Sequence, residues 1–204
     1  MLKTCRQGNI PCSSLFKKIV LKSISTAKPS LQNDRINHYA LGTLENVHSI
    51  CTTVSAADYS RKLPSFYNGS VGAHVRHILN HYEAIVRGLE GVKEPIQYDK
   101  RIRSSDLETD PLAALSLCNS CISAIQNRQV DSGHIIKVEF ICDKSGDVFQ
   151  VESTLDRELA FVSHHGIHHL STVRIMMESI GYSFPDKLLG VAPSTANFLS
   201  SDGH

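Results

Sequence analysis

Seven of the chain's eleven histidines fall in two short windows, His74, His77 and His81 in one and His164, His165, His168 and His169 in the other. Imidazole is the commonest protein metal ligand, and two imidazoles one helical turn apart can grip one ion from the same face. Each window sits in a stretch that otherwise has the apolar spacing of an amphipathic helix. A pair from one helix with a third ligand from the other makes a three-histidine set and leaves a coordination position open for chemistry. Such a set suits a divalent metal, zinc first, with nickel or iron as alternatives. The chemistry would be activation of a bound water or thiolate as a nucleophile near neutral pH.

Counting about 100° per residue shows which histidines face inward. With His164 at zero, Leu155, Leu159, Val162, Leu170, Val173, Met177 and Ile180 cluster at roughly 160–240°. His165 and His169 lie at roughly 100° and 140°, on the flank of that apolar side. His164 and His168, at roughly 0° and 40°, lie nearer Arg157 and the charged side. The inward pair is therefore His165 and His169. In the first window the three histidines share a stripe roughly 60° wide beside Ile78, Ile85 and Val86. Angle there slightly favours His81 or His74 over His77 and leaves the choice open.

The elements that must hold these side chains follow from period and punctuation. Leu41, Leu44, Val47, Ile50 and Cys51 carry helical spacing over 36–54. A loop with Pro64, Asn68 and Gly69 follows, and Ser70 caps a second helix near 70–90 that ends among Gly88 and Gly91. The polar stretch containing Tyr98, Asp99, Arg101 and Arg103 reads as a long crossover. Asp110-Pro111 opens a third helix near 111–128. Ile136–Phe140 and Val148–Val151 alternate apolar and polar around Asp143–Asp147, which predicts a β-hairpin near 135–152. Ser153 or Thr154 then caps a fourth helix near 154–180 that stops at Gly181. The expected fold class is all-α, a four-helix bundle with a crossover connection and a small β-hairpin before the last helix.

Composition narrows the function classes. At 204 residues and 41% hydrophobic, the chain is sized for one domain with a real core. Residues 1–33 hold six basic residues and no acid, which leaves 15 basic against 20 acidic residues in 34–204, a net charge of −5. A body of that sign suits a phosphate backbone poorly, so no nucleic-acid partner is expected. No apolar run approaches the roughly 18–20 residues that span a bilayer, so no membrane partner is expected either. The basic, Ser-rich leader reads as a disordered tail or as an organellar transit peptide, giving a cytoplasmic or mitochondrial location. The six cysteines are scattered without a secretory signal and read as reduced thiols.

Two further motifs carry little chemistry. Cys118 and Cys121 could join His164 and His168 in a structural zinc site, but both thiols fall on the apolar face with Leu115, Ile122 and Ile125 and read as small core residues. Gly166 stands where a His-Glu-x-x-His protease carries its base, so that peptidase route is closed.

Ser70-Val71-Gly72-Ala73-His74-Val75-Arg76-His77-Ile78-Leu79 resembles the second-helix signature of the DinB-like (DNA-damage-inducible) four-helix-bundle family, and His165-Gly166-Ile167-His168-His169 resembles its fourth-helix His-x-x-x-His signature. The resemblance spans roughly Leu41 to Ile180. It implies a metal held by His77, His165 and His169. It also implies a small-molecule substrate, acted on by hydrolysis or thiol transfer, and leaves a homodimer open as the assembly. Where that family carries Arg-Gly-Gln after the last ligand, this chain has Leu170-Ser171-Thr172. A non-catalytic metal- or ligand-binding protein is the expectation from a different function class.

Overall fold

Three of the long helices begin at side chains that satisfy their first N–H groups, and this fixes where the histidine windows start and point. In the computed structural model, which describes residues 31–89, 94–99, 105–128, 133–184 and 186–201, the first element is α1 (Leu31–Thr53), followed by the short α2 (Ala56–Ser60). Helix α3 (Val71–Leu89) carries the first window, and Ser70 Oγ accepts from Ala73 N at 3.1 Å at its start. Helix α4 (Pro111–Gln126) starts with Asp110 Oδ1 accepting from Leu112 N at 2.8 Å and Pro111 in its first turn. Helix α5 (Leu155–Ser179) carries the second window and is capped by Thr154, whose hydroxyl accepts from Arg157 N. It closes in a Schellman turn: Tyr182 N bonds Met177 O at 3.0 Å, Gly181 N bonds Glu178 O at 3.1 Å, and Gly181 takes the left-handed φ of 98°.

Helices α1 and α3 each pack against both α4 and α5. The shared core takes Leu44, Val47 and Ile50 from α1, Val75, Ile78, Leu79, Tyr82 and Ile85 from α3, Cys118, Cys121 and Ile125 from α4, and Leu155, Leu159, Val162, Leu170 and Val173 from α5, all essentially inaccessible. A buried ion pair, Arg128 Nη1 to Asp156 Oδ1 at 2.8 Å, ties the end of α4 to the start of α5. Gly166 lets α5 approach α1 closely, because a Cβ there would meet Thr43 Cγ2 at 2.7 Å.

The expectation of an all-α four-helix bundle is corrected by the sheet. Among the described residues the chain combines six α-helices with a three-stranded mixed sheet in the order β1–β2–β3. The hairpin forms from β2 (Ile135–Ile141) and β3 (Val148–Thr154), antiparallel with Val138 opposite Val151 and Phe140 opposite Phe149. The added strand is β1 (Ile96–Gln97), which pairs in parallel with β2, Ile96 opposite Val138. It lies in the stretch read as a polar crossover. Two residues show no periodicity, and the strand exists because Ile96 and Tyr98, both buried, share the face that covers Val138.

Smaller differences have the same origin. Helix α2 and a 3₁₀ turn at Pro64–Phe66 occupy the stretch read as a loop, and α6 (Pro193–Ser201) occupies the tail, all too short for a spacing argument. Helix α1 begins at Leu31, ahead of the expected start at Ile36 and inside the stretch assigned to the leader. Residues 1–30 of the leader, Gly91, and Arg101 and Arg103 of the crossover lie outside the described residues. No helix among the described residues is long and apolar enough to cross a membrane.

Candidate metal centre

Packing of α3 on α5 brings five imidazoles from the two windows into one cluster. His77 Nε2 and His165 Nε2 stand 2.9 Å apart across the helix pair. His169 Nε2 stands 3.2 Å from the same His165 Nε2, one helical turn along α5. The rings of His77 and His169 approach edge to face with centroids 4.4 Å apart. His81 joins from the next turn of α3: one ligand nitrogen each from His77, His81 and His165 lie within 4.8 Å of one another, a group that can hold a metal ion. On the other side His74 Nδ1 lies 2.9 Å from His169 Nδ1.

The donor set fits a cation better than it fits a hydrogen-bond network. A neutral imidazole carries one N–H hydrogen, so His165 Nε2 can pair well with only one of the two Nε2 atoms that face it. Around a tetrahedral zinc ion with Zn–N of about 2.0–2.1 Å, neighbouring ligand nitrogens sit roughly 3.3 Å apart. The spacings of 2.9 and 3.2 Å are close to that value. Burial keeps the lone pairs available. It lowers the pKa of His74 and His165, with His168 adding to the effect on both and His164 on His165, and pushes His169 down to about 3, with His165 and His74 among the neighbours that add to it. These imidazoles are neutral near pH 7, the form that binds a metal.

Aromatic and polar neighbours hold the cluster in place. His81 Nδ1 donates to the carbonyl of His77 at 2.9 Å, which leaves Nε2 as its lone-pair nitrogen. Tyr98, delivered by β1, stacks on His81 with planes 11° apart and centroids at 5.0 Å. Phe161 stacks on His165 at 13° and 5.8 Å, and also meets Tyr98 at 5.5 Å. Burial and the adjacent Glu158 raise the Tyr98 pKa, so its hydroxyl stays protonated and donates to Glu158 Oε2 at 2.7 Å. Glu158 is fully buried and also accepts from Ser153 Oγ at 2.6 Å and Arg157 Nη1 at 2.7 Å. The Arg157 guanidinium lies over the Phe161 ring at 5.4 Å.

The structure thus brings His77, His165 and His169 together and adds His81 and His74 to them. His164 and His168 are exposed, while His165 and His169 are half-buried. Cys118 and Cys121 are buried in the core, where burial pushes both thiols up to about 12, and the group able to hold an ion among the described residues contains no cysteine. Sequence spacing gave no signal for Tyr98, which reaches the cluster through β1 pairing, or for Glu158, which joins it through Tyr98, whereas Phe161 stands one helical turn before His165 on α5, a spacing that could have found it. Angle on the sequence slightly favours His74 alongside His81, and it gives no partner for His74.

Comparison with known proteins adds one partial likeness. No family model and no solved structure matches the chain. Over 106 residues it is 30% identical to FK506-binding protein 5 of Rhizopus delemar, a stretch that is 51% of this chain and 27% of that protein. The chain spans about a quarter of that relative's length, so the likeness carries no activity across.

Proposed function

We propose that this protein is a metal-dependent enzyme that acts on a small molecule by hydrolysis or thiol transfer, with His77, His165 and His169 as the metal ligands. The observation that carries the reading is the meeting of three Nε2 atoms at 2.9 and 3.2 Å between α3 and α5. The resemblance of the two histidine windows to the DinB-like family supports the choice of His169 as third ligand and the class of reaction. A divalent ion held there, zinc first and nickel or iron as alternatives, would supply the Lewis acidity that makes water or a thiol nucleophilic near neutral pH. The chain's own residues do the rest. The three imidazoles would hold the ion, Tyr98 and Phe161 wall one side against water, and the half-exposed flank of His77, His165 and His169 leaves access for a small substrate.

Metal analysis of the purified protein, followed by a screen of ester, amide and thiol-acceptor substrates with and without chelator, tests this reading. Stoichiometric metal with chelator-sensitive turnover is expected. A protein that acquires no metal from zinc, nickel or iron would overturn it.

A second reading, a non-catalytic metal-binding protein, is favoured by His81. Its ligand nitrogen lies with those of His77 and His165 within 4.8 Å, and a fourth imidazole would close the coordination sphere. Relaxation of solvent water by the nickel- or cobalt-loaded protein separates the two. Fast water exchange at the ion supports the enzyme, and its absence supports the closed site.

A further inference from the structure

The geometry points to His74 as a positioning residue that accepts a hydrogen bond from His169 Nδ1–H and so holds the His169 Nε2 lone pair toward His77 and His165. This inference rests on the metal-site reading above.

The argument begins with proton count. His74 Nδ1 and His169 Nδ1 are 2.9 Å apart, so one of the two carries a hydrogen and the other accepts it. His169 has its other nitrogen, Nε2, at 3.2 Å from His165 Nε2, which itself lies 2.9 Å from His77 Nε2. If His169 held its hydrogen on Nε2, it would direct that hydrogen into a space shared by two other ring nitrogens. With the hydrogen on Nδ1, Nδ1–H donates to His74 and Nε2 offers a lone pair to the space it shares with His165 Nε2. His74 then keeps its own hydrogen on Nε2, on the side toward Gly69, where a Cβ at that glycine would lie 3.7 Å from the ring nitrogen.

On α3 a comparable bond fixes the His81 ring, whose Nδ1 donates to the His77 carbonyl. A ligating imidazole whose second nitrogen is engaged has its tautomer and ring orientation fixed, and loss of that partner typically lowers metal affinity by 10–100-fold. His74 supplies for His169 the acceptor that a carboxylate or a backbone carbonyl supplies elsewhere.

The experiment has two arms. The first reads the His169 tautomer in metal-free wild-type protein by long-range ¹H–¹⁵N correlation of the imidazole ring, with the signal assigned by its loss in His169→Asn. The Nδ1–H tautomer is expected, and an Nε2–H tautomer would overturn the proposal. The second arm titrates zinc alone against a chelator of known affinity in wild type, His74→Ala and His74→Asn. His74→Ala is expected to bind the same number of ions roughly 10–100-fold more weakly, and His74→Asn, whose amide oxygen can accept, to recover most of the loss. Unchanged affinity in His74→Ala would overturn the proposal. Loss of stoichiometric binding would also overturn it, because His74 would then be a ligand. Absence of zinc binding by the wild type rejects the metal site itself, whereas the tautomer arm decides the hydrogen bond in either case and stands even if both His74 variants fold poorly.

Discussion

Alanine at His165 or His169 is expected to remove most bound metal, while alanine at His164 or His168 should leave it in place, because only the first pair stands in the cluster on α3 and α5. Metal content by atomic emission on the four purified variants checks this, and full retention in His165→Ala would reject the site. The same measurement on His77→Ala and His81→Ala ranks the two α3 candidates, both of which the structure brings within reach of His165. Angle counting on the sequence separates His165 and His169 from His164 and His168 because adjacent residues of a helix lie about 100° apart around its axis. It ranks His74, His77 and His81 only weakly, because residues three and four apart share a face. What each does depends on the partner across the helix pair: His165 for His77, His169 for His74, and Tyr98 for His81.

At the scale of elements, the close contact of α5 with α1 depends on Gly166. Gly166→Ala is expected to destabilise the protein, since its Cβ would sit 2.7 Å from Thr43 Cγ2. Overpacking of this kind costs about 1–3 kcal/mol, against a gain of about 1 kcal/mol in helix propensity. Urea unfolding should show a net loss, and Thr43→Ser, which deletes the clashing methyl, should restore stability in the double variant. The junction of α5 with α2 predicts a pH effect. Hydrogen bonds from Ser55 and then Tyr182 lower the pKa of Asp58. A carboxylate whose folded pKa lies below its unfolded value of about 3.9 stabilises the fold fully above that value, and the contribution is lost as pH falls through the folded pKa. Asp58→Asn should therefore melt below wild type by a constant margin above about pH 5, and the margin should shrink below about pH 4. Thermal melts across that range decide it, and a margin independent of pH would reject the linkage. Ser70, Asp110-Pro111, Thr154 and Gly181 were legible in the sequence as helix ends because capping is local chemistry. Strand β1 was not, because two residues form a strand only when β2 is beside them.

For the molecule as a whole, an ion that binds the folded state alone must raise the melting temperature by mass action. Free zinc at 100 times its dissociation constant contributes about 2.7 kcal/mol, which for a protein of this size corresponds to a shift of about 5–11 °C. The shift should vanish in a His77→Ala, His165→Ala double variant, and an equal shift in that variant would place the binding elsewhere. Fold and centre answer differently to sequence reading. The four long helices, the caps of α3, α4 and α5 and the hairpin follow from spacing and local residue type, since each depends on side chains within a few turns of one another. The pairing of β1 with β2, the stacking of Tyr98 on His81 and the hydrogen bond of Tyr98 to the buried Glu158 do not follow from spacing, because each joins residues far apart in the chain. Two histidine windows some 80 residues apart declare a ligand type through their composition. Which nitrogens meet, and at what distance, is a property of how α3 packs on α5, and a helical period carries no information about the register between two helices.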